Sequence, residues 1–214
     1  MEDVLKIINL LLTERPEPNS IYIKFPIVKD FSHVAKYAHQ FQLIIGQLIF
    51  EKEIDGIIEI KSVENGSVWW EVLLGNASAV GVVAGIAKIA LLIHTEYWRY
   101  VFNRQTSESN KIEIEKKKEL QAAHSLILDH LVQTAIKELD KEFFKNPEPE
   151  RLSRIMVSVN SLSALMAEGA IIQPALSNSK EIINLFPKTP SISDFLPTVK
   201  NIDEARSPEI SENK

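Results

Sequence analysis

The sequence predicts an α+β fold, and three stretches carry that expectation. Residues 20–25 (SIYIKF) alternate between apolar and polar side chains. Residues 57–63 and 68–73 flank an Asn65-Gly66 turn, and from Asn76 onward the spacing becomes helical over long runs. Alternation places every second side chain on one face of a strand, and Asn-Gly between two apolar runs is a strong hairpin signal. The expected architecture is a small three-stranded antiparallel sheet covered by a helix. A long helical hairpin, one further helix and a disordered C-terminal tail follow it.

At the start, Val4, Ile7, Ile8, Leu11 and Leu12 fall at helical spacing, which predicts an amphipathic helix over 3–14. Pro16 and Pro18 end it, because each removes a backbone donor and restricts the residue before it. In the strand over 20–25, Ile21, Ile23 and Phe25 share one face, and Tyr22 and Lys24 the other. Asp30 or Ser32 caps the next helix, over 30–51. Its stripe of Val34, Tyr37, Ala38, Phe41, Ile44, Ile45, Leu48 and Ile49 suits packing on the sheet.

Two registers compete in the hairpin. A two-residue loop sets Glu71 opposite Ile60 on the more apolar face. A three-residue loop with a bulge at Gly66 pairs Ile60 with Trp70 and Ile58 with Val72, leaving Glu59, Lys61, Trp69 and Glu71 on the other face. The second is preferred, since a one-residue slip sends every side chain to the opposite face.

The helical hairpin is expected over 76–144, with arms 76–104 and 111–144 joined by a polar turn over 105–110. Asn76 caps the first arm. The stripe of the second is Leu120, Ala123, Ile127, Leu131, Ala135, Leu139 and Phe143, widened by Leu128, Val132 and Ile136. Pro147 and Pro149 break the chain, and Leu152, Ile155, Val159, Leu162 and Met166 then mark a helix that packs on another helix. This makes 1–172 one domain. Residues 173–214, rich in Pro, Ser, Asn and charge, read as a mostly disordered tail. Two apolar islands in it, 182–186 and 194–197, are suited to docking on the domain or on a protein partner.

The chain is organised around the apolar run 77–93, whose single charge is Lys88. A helix that is apolar on all sides must be covered by protein or by lipid. Lipid is favoured by Trp69 and Trp70 before the run, by Tyr97, Trp98 and Tyr100 after it, and by the Gly81-xxx-Gly85 spacing. Against lipid, an ionised lysine at the bilayer centre costs roughly 2.5–3.5 kcal/mol, and the span is marginal in length. The same glycines also permit close helix packing inside a protein or against a second copy. Trp69, Trp70, Gly81, Gly85, Lys88 and Trp98 are therefore the candidate self-association or membrane residues, and coverage by protein is the preferred reading.

The search for chemistry is negative. A net charge of −5 excludes binding of nucleic acid by general phosphate attraction. With no cysteine there is no thiolate metal site, disulfide or cysteine nucleophile. His33/His39 and His124/His130 are each six residues apart, so neither forms a metal pair at one-turn spacing. His94-Thr95-Glu96 resembles the His-x-Glu half of a zinc deaminase site, but the cysteine half is missing. The glycines form no phosphate-binding loop, and the paired carboxylates (Glu51/Glu53, Glu59/Glu71, Glu113/Glu115) read as solvated faces. Glu2 and Asp3 stand where a signal peptide would carry positive charge, which places the protein in the cytoplasm, with membrane association open.

The expected function is that of a non-enzymatic interaction or assembly protein. It self-associates through its long apolar helices and binds no cofactor and no metal. Insertion into a membrane through residues 72–93 is the alternative. An enzyme without a recognisable motif is a second alternative.

Overall fold

In the computed structural model of the chain, residues 17–63, 69–106 and 114–187 are described. The strands are β1 (Ser20–Lys24), β2 (Glu59–Val63), β3 (Trp69–Leu73) and β4 (Ile171–Pro174). The helices are α1 (Phe31–Ile49), α2 (Ala77–Thr106), α3 (Ile114–Phe143), α4 (Pro149–Ala167) and α5 (Lys180–Leu185). The architecture is α+β with an antiparallel sheet in the order β2-β3-β1-β4. The expected helix over 3–14, the hairpin tip at Glu64-Asn65-Gly66 and the tail island at 194–197 lie outside the described residues.

Among the described residues the sheet has four strands rather than three. β4 pairs with β1, setting Ile172 opposite Ile23. Its run is too short for a visible alternation, sitting between Gly169, at φ 102°, and Pro174. The domain accordingly extends past residue 172. α5 follows, Ile182 packs on the core, and Phe186 is buried, so the first of the two apolar islands docks on the domain.

The hairpin register also differs from the expected one. Ile60 stands opposite Val72 and Val63 opposite Trp70, with an irregularity between Ile60 and Ser62, while Gly66 lies outside the described residues. The extra residue, Lys61, meets the Glu59 carboxylate at 3.1 Å and that of Glu17 at 3.3 Å. A bulge leaves one residue out of the ladder, and here that residue is the one with two anionic partners. Ile60 and Val72 still share a face, as do Glu59, Glu71 and Trp69.

The inner face of the sheet carries Ile21, Ile23, Phe25 and Val72 into the core, with Trp70 beside them. Phe25 stacks on Phe41 of α1 at 5.4 Å between centroids and lies 4.6 Å from Trp70. α1 starts where the Asp30 carboxylate accepts the His33 N–H at 2.9 Å, and its apolar stripe seats on this face. Asn76 caps α2, accepting the Ala79 N–H at 2.9 Å while its own amide donates to the Ile54 carbonyl at 2.8 Å. α2 then runs through the middle of the molecule between α1, α3, α4 and α5.

Charged residues pin the corner where α1, α3 and α4 meet. The Arg151 guanidinium, 4% exposed, donates to Asp140 at 2.5 Å and to Glu51 at 3.0 Å, and it also reaches the Asn146 carbonyl. It lies 4.2 Å over the Phe144 ring. Burial opposes its charge, but the Asp140 and Glu51 carboxylates outweigh that and hold its pKa above the ordinary value. Arg154 meets the other oxygen of Glu51 at 2.6 Å. Glu53 accepts the Lys145 N–H at 2.7 Å. The sequence reading of Glu51 as part of a solvated face is thus corrected, because its carboxylate holds Arg151 and Arg154 of α4, whereas Glu53 is exposed and meets the α3–α4 connection from the surface.

Candidate functional site

Two halves of α2 have opposite environments. Ala79, Val80, Val82, Val83, Ala84, Ile86, Ala87, Ile89 and Ala90 are all buried. From Leu91 to Glu96 the helix is half-buried, and Tyr97, Trp98 and Arg99 are exposed. α2 and α3, with 30 residues each, are about 45 Å long, whereas α1 and α4, with 19 each, are about 28 Å. The long pair therefore outruns the helices that cover it, and its far end forms an arm.

Close packing at the base of the arm comes from Gly81 and Gly85. A β-carbon on Gly81 would stand 2.6 Å from the Phe143 ring, and one on Gly85 would fall on Leu139. The small-xxx-small spacing is occupied by α3 of the same chain. Val132, Ile136 and Leu139 are buried behind it, and Leu128, Ala135 and Phe143 are half-buried. The face of α3 on the core thus follows the residues that widened the predicted stripe. Ile127 and Leu131, from the stripe itself, stay 59% and 50% exposed, and Leu126 is 70% exposed. Tyr97 and Trp98, with ring centroids 6.1 Å apart, are exposed as well, so five large apolar side chains on the arm are open to solvent.

Polar groups of the two helices meet on the arm. Glu96 accepts from Arg99 of its own helix at 2.5 Å, and the Nε2 atom of His124 lies 3.2 Å from its other oxygen without hydrogen-bond alignment. His94 sits 6.2 Å from Trp98, and its Nδ1 atom is closed to solvent with no partner among the described residues. Burial pushes the His94 pKa below its ordinary 6.5. Among the described residues, no group of three or more His, Cys, Asp or Glu side chains gathers as a metal site.

The six residues singled out by sequence do not form one site. Trp69 and Trp70 point to opposite faces of the sheet, Trp70 into the core. Gly81 and Gly85 lie under α3, Lys88 is exposed to solvent, and Trp98 stands on the arm. Leu126 and the Glu96–His124 contact were missed. The antiparallel pairing of Gly81 with Phe143 and Gly85 with Leu139, extended along both helices, brings Glu96 to the level of His124.

Among the described residues one helical span, Ala77–Arg99 of α2, is long and apolar enough to cross a membrane by length and composition, and 56% of its most apolar window is buried inside the protein. No family model and no solved structure matches the chain. The chain is similar to the uncharacterized protein YqaP of Bacillus subtilis (strain 168), at 22% identity over 177 residues. That match takes in 79% of this chain and 57% of YqaP, so the chain spans little more than half the length of this relative.

Proposed function

We propose that the protein is a non-enzymatic assembly module that self-associates through the arm of α2 and α3 in the cytoplasm. The observation that carries this reading is the exposure of five large apolar side chains on the arm, Leu126, Ile127, Leu131, Tyr97 and Trp98. Full burial of one Leu or Ile side chain stabilises by about 1.5–3 kcal/mol, so pairing two such surfaces is favourable. Gly81 and Gly85 are already filled within the chain, which moves the self-association surface outward from them to the arm.

Membrane association is the second reading, favoured by the length and apolar character of α2 and by the exposed Tyr97 and Trp98 at its far end. Burial of α2 from Ala79 to Ala90, with Gly85 half-buried and Lys88 exposed, supports the first reading over it, because insertion would require that packing to come apart. High-speed centrifugation of the expressed protein, with and without mild detergent, separates the two. Assembly predicts a defined oligomer in the supernatant without detergent. Recovery in the membrane pellet, released only by detergent, would overturn it.

A further inference from the structure

We propose that the outer surface of the α1/α4 layer is a second contact between copies of this chain, one that joins two copies into a four-helix bundle. The two helices run antiparallel along one seam. Tyr37 donates to Glu168 at 3.1 Å, Gln47 to the Arg154 carbonyl at 3.1 Å, and Arg151 to Glu51 at 3.0 Å. At the middle of the seam the Ser158 hydroxyl donates to the Ile44 carbonyl at 2.7 Å. One residue further along each helix, Ile45 and Val159 are buried in the core. One residue back, Leu43 and Val157 are 55% and 57% exposed. Successive residues of an α-helix are about 100° apart, so Leu43 and Val157 flank the seam together on its solvent side.

This surface is poor in charge, although 25% of the chain is charged. The exposed positions of α4 from Ser153 to Ala167 carry none, and Glu168 ends the row. Those of α1 from Ala35 to Leu43 carry Lys36 and the titratable His39. Arg154, only partly exposed, is held by Glu51 at 2.6 Å. Phe50, two turns after Leu43 on the same side, adds a ring that is 55% exposed. Depletion of charge around apolar and aromatic side chains is what marks the centre of an interface.

The charges that remain identify the occupant. Lys36 lies 5.2 Å over the Tyr37 ring, and Tyr37 bonds Glu168, so a cation on α1 and an anion on α4 stand at one level across the seam. A two-fold axis along the seam turns α1 of one copy onto α4 of the other, antiparallel and level for level. It sets Lys36 over Glu168 of the second copy, twice, and Leu43 within a turn of Val157 of the second copy. Every neighbouring pair of helices is then antiparallel, as in an up-down four-helix bundle. Two helices side by side, each about 28 Å long and about 10 Å wide, bury roughly 1,100 Å² over both copies, close to the minimum of about 1,000 Å² for a specific interface. A contact of this size is weak alone and is held when pairing through the arm has already brought copies together. The proposal thus rests on the arm reading and adds to it an assembly of more than two chains.

Light scattering on the full chain tests this. The wild type should exceed two chains in mass. Leu43→Glu/Val157→Glu should fall to two chains with an unchanged circular dichroism spectrum, since both positions are more than half exposed. Lys36→Glu alone and Glu168→Lys alone should fall likewise, because each sets like charges together, and an equal mixture of these two variants should regain the larger mass. A wild type limited to two chains, a larger mass that survives Leu43→Glu/Val157→Glu, or a mixture that stays at two chains would overturn the proposal. So would a fall to single chains in Leu43→Glu/Val157→Glu, which would make the occupant the arm of the second copy. Failure of the arm reading shows separately, as a mass that Ile127→Glu/Leu131→Glu leaves unchanged.

Discussion

The Leu139 side chain occupies the place where a β-carbon on Gly85 would stand. This contact sets how closely α3 lies on the core helix, and thus where the arm points. Gly85→Ala should destabilise the protein. Overpacking typically costs about 1–3 kcal/mol, which exceeds the gain of at most about 1 kcal/mol from replacing a helical glycine by alanine. Gly81→Ala should be much milder, because the Phe143 ring it meets is half-buried and can swing outward. Urea unfolding of both variants checks this order, and equal stability of Gly85→Ala and wild type would sink it.

Arg151→Met should lower stability by about 3–5 kcal/mol, because it leaves the Asp140 carboxylate buried and unpaired. Arg154→Met should lower it by less than about 1 kcal/mol, since that side chain is 32% exposed and water replaces its partners. Chemical denaturation of the pair of variants measures the difference. Similar losses for both would mean that the corner is not held by Arg151.

Acid should weaken the protein through His94. Its pKa in the folded state lies below the ordinary 6.5, so folding favours the neutral ring. The stability it contributes is present above pH 6.5 and is lost as the pH falls from there through the lowered value. In His94→Leu that slope should flatten, as seen in thermal melts at a series of pH values. An unchanged slope would place the acid sensitivity elsewhere.

Much of this architecture was legible in the sequence because its signals are local. The alternation over 20–25, the Asp30 and Asn76 caps and the stripe of α1 each depend on neighbours within a few residues, and each stands where the spacing put it. What escaped depends on contacts far apart in the chain. β4 has two apolar residues and becomes a strand only because β1 offers it a partner some 150 positions earlier. The hairpin register turned on Lys61, whose second partner, Glu17, lies before β1. Arg151 was not singled out in the sequence, because Asp140 and Glu51, the carboxylates that hold it, lie 11 and 100 positions away. The candidate site was half legible. Gly81 and Gly85 were recognised as a close-packing surface, but spacing alone does not say which helix fills it.

Self-association through the arm is tested most directly by light scattering on the wild type and on Ile127→Glu/Leu131→Glu. Both positions are at least half exposed, so the double variant should fold with little change in stability. The account predicts a wild-type mass that is a whole multiple of the chain, falling to a single chain in the variant. A wild type that stays a single chain at every concentration, or an oligomer unaffected by the two charges, would contradict it.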